Sequence, residues 1–152
     1  MPDLHTRIYD YANARVNTKE GNGQCWTLAN NALSHAGAQT PSSSALYVWG
    51  TEITLGQLSR GNIIQFTSYT VRITQEDGSW QELSRGTAAS PRHTAIVETV
   101  HANGEVVVLE ANVDSTQYVR RTTLYFQAGR VGNATISITG NFTFYQARPA
   151  SP

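Results

Sequence analysis

Apolar residues at Leu4, Ile8, Tyr11, Ala12 and Val16 recur at helical spacing and mark one face of a first helix, with Asp3 in place to cap it. A second set, Cys25, Leu28, Ala29, Ala32, Leu33 and Ala36, keeps the same period. Gly37 follows the last of them, where a left-handed cap closes a helix. Gly21 and Gly23 supply the backbone freedom for a sharp entry, with Asn22 or Gly23 as the N-cap. Residues 38–46 are small and polar, a loop by composition. Beyond them the period changes from 3.6 to 2. Residues 58–61 read as a turn into a strand at 63–66, and the alternation of Val71 and Ile73 runs on to Asp77-Gly78, a hairpin signal. Trp80 and Leu83 return from it, which predicts a protruding ribbon. Residues 93–100 and 106–112 predict a second hairpin joined at Asn103-Gly104, and further β-prone runs lie at 118–126, 135–139 and 142–146 before Pro149 ends the fold. Two helices followed by strands without intervening helices predict an α+β fold, its N-terminal helices packed on a mostly antiparallel sheet.

Composition narrows what such a fold is for. The 152 residues suffice for one domain, spanning 1–152, with a core that needs no disulfide, and the single cysteine permits no internal one. Ten arginines and one lysine balance the acidic residues to a formal charge of zero, and no basic run breaks that balance. Nucleic acid and anionic membrane are therefore excluded as expected partners, and the chain is expected to be a monomer. The amino terminus has no apolar signal core and no stretch approaches the roughly 20 apolar residues of a membrane span, so the expected location is the cytoplasm or beyond it by a signal-independent route. No histidine, cysteine and carboxylate spacing suggests zinc and no phosphate-binding loop is present, so no metal or cofactor is expected.

The chemistry on offer is nucleophilic. Cys25 falls in the first turn of the second helix, where unpaired N–H groups and the positive end of the helix dipole favour the thiolate. The same N–H groups can hold an oxyanion. A lone cysteine on an amphipathic helix is also a common apolar filler, so the case rests on partners. If Asn103-Gly104 is a two-residue type I′ turn, position 95 faces 112 and 97 faces 110. His93, Glu110 and Asn112 then share one face, with Asn112 the diagonal neighbour of His93 and Glu110 one step farther. A carboxylate on a run as apolar as Val106-Val107-Val108-Leu109 needs a partner to offset its desolvation, and a histidine is one candidate. Gln24 and Trp26, flanking the cysteine, are candidate substrate-binding residues. So is Trp49 within Tyr47-Val48-Trp49-Gly50, whose aromatics either line a groove or close the core.

Gly23-Gln24-Cys25, then Arg60-Gly61-Asn62-Ile63-Ile64-Gln65-Phe66, then His93-Thr94-Ala95-Ile96-Val97-Glu98, then Val108-Leu109-Glu110-Ala111-Asn112 resembles the pattern of the CHAP and NlpC/P60 cysteine peptidases. The resemblance implies a papain-like fold with Cys25 as nucleophile, His93 as base, and Glu110 and Asn112 matching the polar residues that orient the histidine. It further implies a thiol hydrolase cleaving an amide bond, with a peptide or peptidoglycan substrate. The chain departs from the CHAP pattern where Trp26-Thr27-Leu28 follow the cysteine and where Arg60-Gly61-Asn62 replaces Pro-Gly-Asp. Cys25-Trp26-Thr27-Leu28-Ala29 together with residues 47–50 is also similar to the cysteine-proteinase-fold domain of fungal actin-patch SH3 adaptors. That second resemblance implies an alternative role as a non-hydrolytic module that binds a protein partner or inhibitor.

Overall fold

The computed structural model of the chain describes residues 3–113 and 116–150. Helix α1 (Leu4–Asn13) begins where Asp3 accepts a hydrogen bond from the Thr6 N–H at 2.8 Å. It stops three residues short of Val16, which instead bridges to Val119. Helix α2 (Cys25–Ala36) buries Leu28, Ala29, Ala32, Leu33 and Ala36, and Gly37 closes it at φ 86°. The N-cap is Gln24 rather than Asn22 or Gly23, and its side chain makes no capping bond. Cys25 is therefore the first helical residue. No described helix is long and apolar enough to cross a membrane.

Among the described residues the rest of the chain forms eight strands: β1 (Thr51–Ile53), β2 (Ile63–Thr74), β3 (Trp80–Arg85), β4 (Arg92–Val100), β5 (Glu105–Glu110), β6 (Arg120–Tyr125), β7 (Gly129–Val131) and β8 (Ala134–Gln146). They build one antiparallel sheet in the order β1-β8-β2-β4-β5-β6, with β3 added to β2 and β7 to β8. The runs expected at 135–139 and 142–146 are one strand, because Gly140 (φ 88°) lets β8 continue past a register shift in β2. A Cβ at Gly140 would lie 2.1 Å from the Ser68 carbonyl oxygen, so only glycine fits there. The outer part of β2 pairs with β8 as well as with β3, and with β7 on the far side of β8 the expected protruding ribbon is four strands wide at its tip.

Two clusters of buried side chains lie on opposite faces of this sheet. Ile63, Ile96 and Leu109 face the helices and pack with Ile8, Leu28, Leu33 and Trp49. Ile64, Phe66, Tyr69, Ala95, Val97 and Val108 face away and meet Leu124, Phe126 and Phe144, which the curl of the sheet brings round to them. Alternation along each strand sets this division, as a sheet covered on both faces requires.

The β4–β5 connection corrects the expected two-residue turn. His101 donates to the Glu105 carbonyl at 2.7 Å, which leaves a three-residue loop at 102–104 with Asn103 at φ 64°. The pairing then slips again at Glu98, so Thr99 faces Val107 whereas Val97 faces Val108. Each slip alone would send the following side chains to the other face of the sheet. Two slips restore the parity, and the register moves by two residues without turning over. Ile96 thus faces Leu109, and the diagonal neighbour of His93 becomes Glu110 instead of Asn112.

Candidate active site

Three elements converge at the start of β4. The N-terminus of α2 presents Cys25, half-buried and with no disulfide partner. Gly21 (φ 56°) and Gly23 (φ 79°) fold the approach to it, and a Cβ on Gly23 would meet the Gln117 Cβ at 2.7 Å. The thiol and the imidazole of His93 interact, each moving the other's titration. His93 is 4% exposed, its ring packed against Phe66 with centroids 5.6 Å apart. On its other side Nε2 lies 2.8 Å from Glu110 Oε1. With Nε2 held by the carboxylate, Nδ1 is the nitrogen left for the sulfur.

Glu110 is fully buried, and its second partner is Arg85, the last residue of β3. Arg85 Nε donates to Oε1 at 2.9 Å and Nη2 donates to Oε2 at 2.6 Å, while Nη1 donates to the Ser84 carbonyl at 2.8 Å. The result is a polar chain from His93 through Glu110 to Arg85 on the face of the sheet turned away from the helices, with Cys25 of α2 meeting it at His93. Arg85 did not figure among the candidate residues. The signal for it is period 2 along β3, which puts Arg85 on the same inward face as Leu83, paired with the buried Tyr69.

This arrangement separates charge. Burial works against an ionised Cys25, but the hydrogen bond and charge of His93, with the backbone N–H groups of Thr94 and Trp26, hold the thiol below its ordinary value. Burial likewise opposes a charged His93, yet its bonds to Cys25 and Glu110 raise it to about 9. For Glu110, desolvation is outweighed by His93 and Arg85, and the carboxyl falls to about 2. At neutral pH the imidazole is held charged against a carboxylate backed by a guanidinium, and that positive charge favours the thiolate over the thiol.

The other candidate residues lie around this chain. Asn112, at φ 62°, donates from Nδ2 to Gln24 Oε1 at 2.8 Å, so the hydrogen bond of its side chain runs to the residue before Cys25 rather than to the imidazole. Trp26 donates from Nε1 to the Leu46 carbonyl at 2.7 Å and anchors the 42–48 loop beside α2. Trp49 closes the core: it is 1% exposed and donates to Gln65 Oε1 at 2.9 Å, an oxygen that also accepts from Thr94 at 2.7 Å. A residue so enclosed has no surface to offer a substrate. His93 and Asn112 open on a groove of about 500 Å³ with Ser84, Gly86, Thr87 and Ser90 along its wall. Among the described residues no group of three His, Cys, Asp or Glu is placed to hold a metal ion.

No curated protein sequence matches this chain. Two solved structures share its fold: Ly7917 with the hydrolyzing product of MDP, at 19% identity, and Ly7917, at 20%, each with a TM-score of 0.53. The likeness covers 90% of this chain and 62% of each of those, so the chain spans less than two thirds of their length. The family model of the AIM3/BBC1 cysteine proteinase-fold domain matches residues 4–136, from the first helix into β8, and the chain belongs to that family.

Proposed function

We propose that this domain is a thiol hydrolase of amide bonds, of the CHAP and NlpC/P60 papain-like kind, acting on peptides such as those of peptidoglycan. The observation that carries the reading is the chain Cys25–His93–Glu110–Arg85, in which His93, Glu110 and Arg85 are buried and hydrogen-bonded in turn and the half-buried Cys25 interacts with the imidazole. Four interlinked polar groups cost desolvation that an interaction module has no use for, since apolar side chains of similar volume fill such a space at no loss of stability. Likeness of fold to Ly7917, solved with the hydrolyzing product of MDP, supports peptidoglycan fragments as the first substrates to test.

In the proposed reaction the Cys25 thiolate attacks the amide carbonyl, forming the C–S bond as the carbonyl π pair moves to oxygen. The first-turn N–H groups of α2, which no side chain caps, receive that oxyanion. The His93 imidazolium gives its Nδ1 proton to the leaving nitrogen and the C–N bond breaks. Neutral His93 then takes a proton from water, whose oxygen attacks the thioester, and the C–S bond breaks to restore the thiolate. Glu110 keeps Nε2 protonated throughout.

Purified protein incubated with cell-wall sacculi is expected to release muropeptides, and the Cys25→Ala chain is expected to release none. Release undiminished by Cys25→Ala overturns the mechanism. Intact sacculi combined with labelling of Cys25 by a thiol-reactive amide probe redirects the activity to protein substrates. An unreactive Cys25 that titrates as an ordinary thiol supports the non-hydrolytic module instead.

A further inference from the structure

We infer that Arg85 is a positioning residue of the site, holding the Glu110 carboxylate by a two-point contact so that His93 stays charged and oriented toward Cys25. The inference rests on the thiol-hydrolase reading and deepens it, assigning a role to the far end of the same polar chain. Arg85 is 2% exposed and fits both oxygens of a carboxylate that is itself fully buried, at 2.9 and 2.6 Å. Only arginine offers two parallel donors in a rigid fork, and the third donor is fixed by the Ser84 carbonyl. The carboxylate cannot rotate without breaking one of these bonds. Its Oε1, shared between Arg85 and His93, is thereby fixed in the place that the imidazole needs.

The charge argument agrees with the geometry. The groups facing this carboxylate are Arg85 from β3 and His93 from β4, with Cys25 of α2 beyond the ring and the Tyr69 hydroxyl of β2 nearby. Tyr69 is neutral, its titration pushed up by burial, and it donates to the Tyr125 carbonyl at 2.5 Å. Arg85 is thus the one fixed cation in the group. Without it the buried carboxylate has two courses. It takes a proton and releases the imidazolium, or it stays ionised and adds an uncompensated negative charge behind the ring. Either course makes the thiolate harder to form.

The test is the rate of Cys25 alkylation by iodoacetamide against pH, a readout that depends on thiolate formation and not on hydrolysis. In Arg85→Met the acid limb of that profile is expected to move up by about one pH unit or more, a tenfold loss of rate on the slope. Arg85→Lys keeps the charge but not the fork; its acid limb is expected to move by less than half as much while the turnover of any hydrolysed substrate falls. An Arg85→Met chain that folds, judged by circular dichroism, with an unmoved limb overturns the inference. Should Arg85→Met fail to fold, Arg85→Lys decides alone, and a Lys variant with native alkylation and native turnover overturns it. If no substrate is found for the native chain, a shifted limb still upholds the role of Arg85 and only the hydrolase reading fails.

Discussion

Replacing Glu110 by glutamine tests the polar chain at its centre. Glutamine keeps the volume and one acceptor oxygen, but it removes the charge and turns an NH2 group toward the guanidinium or the imidazolium. Arg85 is then a buried cation without an anion. Breaking a buried pair in this way costs about 3–5 kcal/mol, which for a chain of this size lowers the melting temperature by roughly 6–20 °C. The carboxyl also makes that loss depend on pH. Its folded value of about 2 lies below its ordinary 4.5, so its stabilisation is complete above 4.5 and disappears as pH falls through 2. Such a depression is equivalent to about 3 kcal/mol, of which about 2 kcal/mol is gone by pH 3. His93 is raised by the same interaction seen from the other partner, so the two shifts are not added. Urea unfolding of the native and Glu110→Gln chains at pH 7 and pH 3 reads the effect directly. The gap between them is expected to narrow at pH 3 by about 2 kcal/mol, because the native chain loses what the variant never had. A gap of under about 1 kcal/mol at pH 7, or one that is the same at both pH values, refutes the reasoning.

The remaining expectations concern the approach to the sulfur. Native Cys25 should reach its alkylation plateau well below the ordinary thiol value of about 8.5, and His93→Ala should return the profile to that value, since His93 is the main group holding the thiol down. Gly23→Ala should lose about 1–3 kcal/mol of thermal stability and slow any cleavage, because it combines a left-handed φ with contact on Gln117. Gly37→Ala, at a similar φ but with nothing within 4 Å, should lose less and leave cleavage unchanged. Trp49→Phe should cost about 1–2 kcal/mol through its lost bond to Gln65. It should leave KM unmoved, which a residue lining the substrate groove would not.

Much of the fold is legible because the chain changes its hydrophobic period once. The helical stripes place α1 and α2 to within a few residues, and Gly37 ends α2 where a left-handed cap is expected. The resemblance to a cysteine-proteinase-fold domain rests on Cys25-Trp26-Thr27-Leu28-Ala29 and residues 47–50, and the family match takes in both stretches. What escapes a sequence reading is register. Asn103-Gly104 signals a turn but not its length, and nothing in residues 97–99 announces that Glu98 will be left over. Its side chain is claimed by Tyr9 and Arg121 and its carbonyl by Arg60, partners distant in sequence, and these fix the slip. Trp49 escapes for a similar reason. Its aromatic surroundings suit a groove or a core equally, and only the distant pair Gln65 and Thr94 decides for the core.

The placement of the four groups also explains how the sulfur and the imidazole come to meet. Cys25 belongs to a helix whose apolar face is committed to one cluster, with Leu28, Ala29 and Leu33 against Ile63, Ile96 and Leu109. His93, Glu110 and Arg85 belong to the opposite face, in register with Ala95, Val108 and Leu83 of the other cluster. A helix cannot reach through a sheet, so the two sets can meet only beyond the end of a strand. Arg92, at the start of β4, supplies that end, and His93, with which Cys25 interacts, is one residue on. Since β4 stops there, Cys25 stays half-buried while the imidazole behind it is closed in by Phe66. A half-buried thiol with a buried counter-ion then follows from strand parity and helix packing together: a single slip between β4 and β5 would leave Cys25 in place but turn its partner to the wrong face.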